Sequence, residues 1–148
     1  MAKKKFVNLQ NARKGEYKKV IEEIVSTGKC PFCKENFKYH KKPIFKKKNN
    51  WFLTDNSWPY KNSKHHFLLI GEEHKENLFE LTKKDLQSIF FLINFAVKKW
   101  KIKGGGLIVR FGDTKFTGGS VSHIHFHLLS PNVNQKTKKS KKIAFTIG

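Results

Sequence analysis

Cysteine is scarce, two in 148 residues, which excludes a disulfide-stapled secreted scaffold. Acidic side chains number 11 against 31 lysines and arginines, and the net charge of +20 favours polyanionic partners: nucleotides, nucleic acid or acidic membrane faces. Arginine is rarer still. Of the 31 basic residues only Arg13 and Arg110 are arginines, the other 29 being lysines. Surfaces built for nucleic acid usually draw on arginine forks as well, so compositional bias competes with function as the reason for the charge. No apolar run reaches the ~18–20 residues of a membrane span, and the longest, Ile89 to Val97, is broken by Asn94. The basic start Met1-Ala2-Lys3-Lys4-Lys5 is followed by no apolar core of a signal peptide. The expectation is a cytoplasmic chain with no membrane partner.

What is present is aromatic weight. Fourteen Phe, three Trp and three Tyr supply large core side chains that a disordered chain would not carry. The length fits one domain over 1–148, with a basic, loosely held N-terminal extension over about 1–12 and a lysine-rich tail over about 132–148. Lys41-Lys42 with Lys46-Lys47-Lys48, and Lys136 to Lys142, read first as solvated faces or arms.

Tyr17, Val20, Ile21, Ile24 and Val25 recur at helical spacing up to Gly28. Residues 34–50 give no clear pattern. Trp51-Phe52-Leu53-Thr54 and His66-Phe67-Leu68-Leu69-Ile70 read as strands. The strongest helix spans 82–103. Thr82 caps it with Asp85 three residues on, Leu86, Ile89, Phe90, Ile93, Val97 and Trp100 form one stripe, and Gly104-Gly105-Gly106 stops it. Strands follow over 107–111 and 121–129, with a Gly/Thr/Ser loop over 112–120, and residues 143–147 form a short strand or docking tail. Strands joined by short turns, with helices to one side, predict an α+β fold with an antiparallel β-sheet and flanking helices.

The segment that carries chemistry is Gly118-Gly119-Ser120-Val121-Ser122-His123-Ile124-His125-Phe126-His127-Leu128-Leu129. On a strand, His123, His125 and His127 share one face, and Ile124, Phe126 and Leu128 the other, where they can pack on the long helix. Three imidazoles in a row serve metal binding, including a three-histidine catalytic metal, or nucleophilic and acid–base catalysis. Gly118, Gly119 and Ser120 let backbone N–H groups approach an anion. A phosphate-cradling loop before the histidines favours imidazole attack on phosphorus.

His123-Ile124-His125-Phe126-His127-Leu128-Leu129 resembles the histidine triad (HIT) superfamily, whose hallmark is His-φ-His-φ-His-φ-φ with φ apolar. The resemblance extends through Gly118-Gly119-Ser120-Val121, Asn56-Ser57-Trp58-Pro59-Tyr60 and His66 to His74, about residues 30–130. It implies the HIT-like fold, commonly a homodimer through the apolar side of 82–103. His125 is the implied nucleophile, forming a covalent nucleotidyl-histidine. Its other ring N–H is expected on a backbone carbonyl at the His127 position. The His127 side chain lies near the phosphate, and Ser120 contacts the phosphate or aids the leaving group. Gly118 and Gly119 lie along the substrate, and Asn56, or Asp55 in its place, holds the ribose. Many members have Gln where this chain has Gly119, and the Asn common in their preceding strand–loop appears here as Gly112 or is displaced, so that Arg110, Asp113 or Lys115 stand as contributors in its place.

Cys30-Pro31-Phe32-Cys33 is by itself a redox or a metal motif, and zinc needs two further ligands. HIT branches that carry Cys-x-x-Cys add a histidine after the third strand and the first of the triad. The resemblance therefore implies a structural Zn2+ on Cys30, Cys33, His74 and His123. Two free thiols with His74 as an orienting residue is the plain alternative. His65 and His66 read as strand-end residues, and His40 as exposed. The forms Thr117-Gly118-Gly119-Ser120-Val121 and Trp58-Pro59-Tyr60 resemble the branch acting on diadenosine polyphosphates. The first expectation is a nucleotide hydrolase or nucleotidyltransferase acting at the α-phosphate of dinucleoside polyphosphates or related adenylates, hydrolysis and phosphorolysis both open. The alternatives are an enzyme of nucleic-acid ends (5′-deadenylation or decapping) that grips the strand with its lysine clusters, and a non-catalytic zinc module binding nucleotide or RNA.

Overall fold

A computed structural model describes residues 5–148. Five strands form one fully antiparallel sheet: β1 (Ile44–Lys48), β2 (Trp51–Asp55), β3 (Ser63–Gly71), β4 (Gly106–Val109) and β5 (His125–Pro131). Their spatial order is β1-β2-β3-β5-β4. Among the described residues three α-helices accompany it: α1 (Glu16–Thr27), α2 (Lys83–Lys99) and the single turn α3 (Thr114–Thr117). The expected α+β architecture is the one observed. No helix among the described residues is long and apolar enough to cross a membrane.

Strand alternation sorts the sheet into two faces. Trp51, Leu53, Phe67, Leu69, Phe126 and Leu128 pack on Ile89, Leu92 and Ala96 of α2. Leu92 is fully buried, and cutting it to Ala would cost about 2–5 kcal/mol. The helix starts as the sequence predicts: the Thr82 hydroxyl accepts from Asp85 N–H, and the Asp85 carboxylate accepts from Thr82 N–H. Asp85 also takes a bond from the Trp51 indole and an ion pair from Lys75 at 2.7 Å, which fastens the helix start to β2.

The helix ends at Lys99, four residues before the expected boundary at 103. Lys101 adopts φ 50°, and the chain turns before the glycines. Gly105 serves instead as a point of close approach, since a Cβ there would collide with the Leu129 carbonyl. The unplaced stretch 34–50 holds a 3-10 turn (Lys34–Tyr39) and edge strand β1. The lysines of β1 face solvent, as charged residues on exposed edges do. β5 begins at His125 rather than 121, and residues 143–147 form no strand.

The N-terminal stretch is packed rather than loose from residue 5 on. Val7 is buried with Ile21 and Ile24 of α1 and bridges Val121. Asn8 N–H donates to the Ser120 carbonyl at 2.8 Å, and the Asn11 amide donates to the carbonyls of Thr114 and Gly119, each at 2.9 Å. This arm staples the 114–120 loop into place. The expected stretch 1–4 lies outside the described residues.

Candidate active site

The second face of the sheet carries Phe52, Leu68 and Ile70, and beside them a cavity of about 270 Å³. His125 and His127 enter it from β5, Asn56 and Tyr60 from the turn after β2, and Ser120 from the stapled loop. Ile21 and Ile24 of α1 and Phe32 give it an apolar wall.

His125 Nδ1 donates to the His123 carbonyl at 2.8 Å, which leaves Nε2 unprotonated. Among the described residues no group bonds that nitrogen. The tether comes from His123, not from the expected His127 position, because the chain enters β5 through a bend that turns the His123 carbonyl toward the ring two residues on. Burial holds His125 down to about pKa 4, the bond to the His123 carbonyl raising it and nearby Arg110 lowering it. The ring is neutral at neutral pH, with a nucleophilic lone pair.

His127 is ordered through His66, expected from the sequence as a strand-end residue. His66 is buried. Tyr60 N–H donates to its Nδ1 at 3.0 Å, so its own proton sits on Nε2 and is donated to His127 Nδ1 at 2.9 Å. His127 then carries its proton on Nε2, as a donor. Burial, with Arg13 and His125 adding to it, lowers His66 to about pKa 3, and burial also pushes His127 well down. Asn56 Nδ2 lies 3.1 Å from the His66 ring, while Asn56 Oδ1 accepts from Trp58 N–H at 2.9 Å.

The other expected site residues divide. Asp55 does not line the cavity. It sits near Lys42 and His65, its carboxyl raised chiefly by burial. Ser120 lines the cavity, its hydroxyl sharing a hydrogen bond with Tyr17 Oη. Gly118 and Gly119 line it too, but Gly118 N–H bonds Thr114 O at 3.2 Å and Gly119 N–H bonds Thr117 Oγ1 at 3.1 Å. Their amides are engaged in the turn, with Gly118 at φ 69°, and are not presented to an anion. Asp113 caps α3, and of the three proposed contributors only Arg110 reaches the cavity. His40 is not exposed: its ring bonds Thr54 Oγ1 at 2.6 Å.

Cys30, Cys33, His74 and His123 come together beside this cavity, their donor atoms all within 4.8 Å of one another. Cys30 Sγ is 3.4 Å and Cys33 Sγ 3.7 Å from His123 Nδ1, and Cys33 Sγ is 3.6 Å from His74 Nδ1. A tetrahedral ion with metal–sulfur bonds of ~2.3 Å and metal–nitrogen bonds of ~2.0 Å sets S···N edges at about 3.5 Å, so the donor set fits. Each imidazole is tethered through its far nitrogen: His123 Nε2–H donates to Gly71 O at 2.9 Å and His74 Nε2–H to Glu76 Oε1 at 2.9 Å. This is the usual bracing of metal-bound histidines. A catalytic metal held by all three triad histidines is ruled out by their divergent tethers, and among the described residues this is the one cluster that could hold an ion.

Comparison with known proteins identifies the family of this five-stranded antiparallel sheet with its tethered His-x-His pair. Residues 29–143 match the family model described as "Scavenger mRNA decapping enzyme C-term binding", and the chain belongs to this HIT-like family. No curated protein matches the sequence. Among solved structures, a HIT family hydrolase from Clostridium thermocellum is 26% identical over 72% of this chain and 92% of its own, with TM-score 0.54. A Zn-bound histidine triad family protein from Mycobacterium smegmatis is 18% identical over 74% of this chain and 79% of its own, TM-score 0.54. Diadenosine triphosphate hydrolase from Plasmodium falciparum, solved with Cyclomarin A, is 20% identical over 66% of this chain and 65% of its own, TM-score 0.50.

Proposed function

We propose that this chain is a nucleotide hydrolase or nucleotidyltransferase in which His125 Nε2 attacks the α-phosphorus of a dinucleoside polyphosphate or related adenylate. The observation that carries it is the 2.8 Å bond from His125 Nδ1 to the His123 carbonyl, which fixes the tautomer with its lone pair toward the cavity. An N–P bond forms as the bond from phosphorus to the leaving polyphosphate oxygen breaks. Water, or inorganic phosphate, then cleaves the N–P bond and restores the neutral imidazole. His127, holding its proton on Nε2 through His66, donates to a phosphate oxygen. Ser120 contacts the same group, and Asn56, rather than Asp55, meets the ribose. Cys30, Cys33, His74 and His123 hold a structural Zn2+, which supplies local rigidity and no chemical step. The exposed Leu86, Phe90 and Phe91 of α2 support pairing of two copies, and sedimentation at micromolar concentration reads this directly.

The test is a trapped intermediate. Incubation with α-labelled dinucleoside polyphosphate, then denaturation, is expected to leave an acid-labile, base-stable label on His125. Turnover without label, or label persisting in His125→Ala, overturns the reading.

A second reading, processing of nucleic-acid 5′ ends, has one observation in its favour. A groove of about 870 Å³ adjoins the cavity across Phe145 and is lined by Lys64, Lys101, Lys103, Lys141 and Lys142 with no acidic residue. Phosphate contacts of this kind make affinity fall steeply with salt. A steep salt dependence of turnover on a 5′-adenylated or capped oligonucleotide, absent for a free dinucleotide, selects this reading.

A further inference from the structure

The two arginines of the chain, among 31 basic residues, both line the catalytic cavity. They reach it from opposite ends of the sequence and meet at one tyrosine. The Arg13 guanidinium lies 5.2 Å from the ring centres of both Tyr17 and Tyr60. Arg110 donates to the Tyr60 hydroxyl at 3.2 Å, and its guanidinium covers the Phe145 ring at 3.9 Å. Tyr60 in turn stacks on His127 at 5.8 Å. Among the described residues neither arginine pairs with a carboxylate. Arg13 bonds the Trp58 carbonyl at 2.6 Å, and Arg110 the carbonyls of Thr117, at 3.0 Å, and Thr146. Backbone carbonyls and aromatic faces thus hold both charges in place without neutralising them. The absence of a side chain at 119 makes room for this: a Cβ there would come within 3.3 Å of Arg110 Cδ.

We propose that Arg13 and Arg110 form a guanidinium clamp for the non-reacting phosphates of the substrate, selecting nucleotides joined through a polyphosphate over nucleotides whose leaving group is an amine. This rests on the proposed reaction at His125 and adds its leaving-group class. A planar guanidinium grips phosphate through two parallel N–H bonds, which an ammonium does not, and lysine supplies the other 29 cations of this chain. Burial above all holds the His127 ring neutral, and both guanidinium charges add to it after His125 and His66, which marks how close they stand to that ring. Arg13 lies on the N-terminal arm, outside residues 29–143 matched to the family.

The experiment compares full-length wild type with Arg13→Lys, Arg13→Gln and Arg110→Lys on three substrates sharing one nucleotide: a dinucleoside tetraphosphate, a capped oligonucleotide with a triphosphate bridge, and a nucleoside phosphoramidate. The expected result is a loss of about tenfold or more in kcat/KM on the two polyphosphates, carried mainly by KM, with the phosphoramidate within about twofold. Loss on the tetraphosphate alone or on the capped oligonucleotide alone still supports the clamp and names the source of the bridge. Equal loss on all three, or none, overturns it. Calorimetric titration of inorganic tripolyphosphate into His125→Asn separates the clamp from the chemistry. Binding weakened by Arg13→Gln upholds the clamp even if no covalent label ever forms on His125, and unchanged binding sinks the clamp whatever the label shows. Arg13→Lys retains the charge and the contact with the rings, so its melting temperature guards against a folding explanation.

Discussion

His123 and His125 stand two residues apart, each tethered to a backbone carbonyl, yet they leave opposite ring nitrogens free. His123 gives up Nε2 to Gly71 O at 2.9 Å and turns Nδ1 to the two sulfurs. His125 gives up Nδ1 to the His123 carbonyl at 2.8 Å and turns Nε2 to the cavity. Which nitrogen the backbone takes decides what each imidazole has left to offer. The two sites are also joined, since the residue that faces the sulfurs supplies the carbonyl that orients His125.

The comparison is broken most severely at His125. His125→Asn is expected to lower kcat/KM by about 10³-fold or more with melting temperature and metal content unchanged, read by kinetics beside thermal melts and metal analysis. A loss of metal in that variant would mean that the two sites are not separable. Cys33→Ser attacks the other end. Removing one donor of a folding-linked site costs a few kcal/mol, a fall of about 10 °C for a chain of this size, while turnover per folded molecule drops less than about tenfold. A larger drop would make the His123 carbonyl, and so the metal, more important to the nucleophile than its tether alone implies.

His66→Leu removes the donor that fixes the His127 tautomer and is expected to lower kcat about 10²-fold, with His66→Gln, which keeps an N–H, recovering part. The smallest effect is on stability against pH. Folded His66 titrates near 3 and an unfolded histidine near 6.5. Between those values the unfolded chain takes up a proton that the folded chain refuses. Stability is therefore highest above about pH 6.5 and declines as the pH falls toward 3. Thermal melts from pH 7.5 to 5 show a shallower decline in His66→Gln than in the wild type.

The sequence made the chemistry legible where the determinants are local. Thr82 and Asp85 mark a helix start within one turn, and Cys30 and Cys33 bracket a single turn. His125 and His127 alternate along one strand. It was silent where pairing across the chain decides. His66 reaches His127 because β3 pairs with β5 so that His66 lies opposite Leu129 and Leu68 opposite His127, a register that no local pattern encodes. Lys46, Lys47 and Lys48 look like a solvated run, yet Phe45 beside them packs on Phe67 and Trp100 and draws the segment into the sheet edge. The N-terminal arm reads as polar because its anchors are amide bonds to loop carbonyls more than a hundred residues away.

That arm has a practical consequence. A protein trimmed to residues 29–143, the span matched to the family, would keep the sheet and the metal donors but shed Arg13, Tyr17 and the α1 wall of the cavity. Loop 114–120 would lose its fastening at the same stroke. Grafting residues 5–27 onto a relative that lacks them offers the converse manipulation: donating a preference for one leaving group without altering the recipient's own histidines.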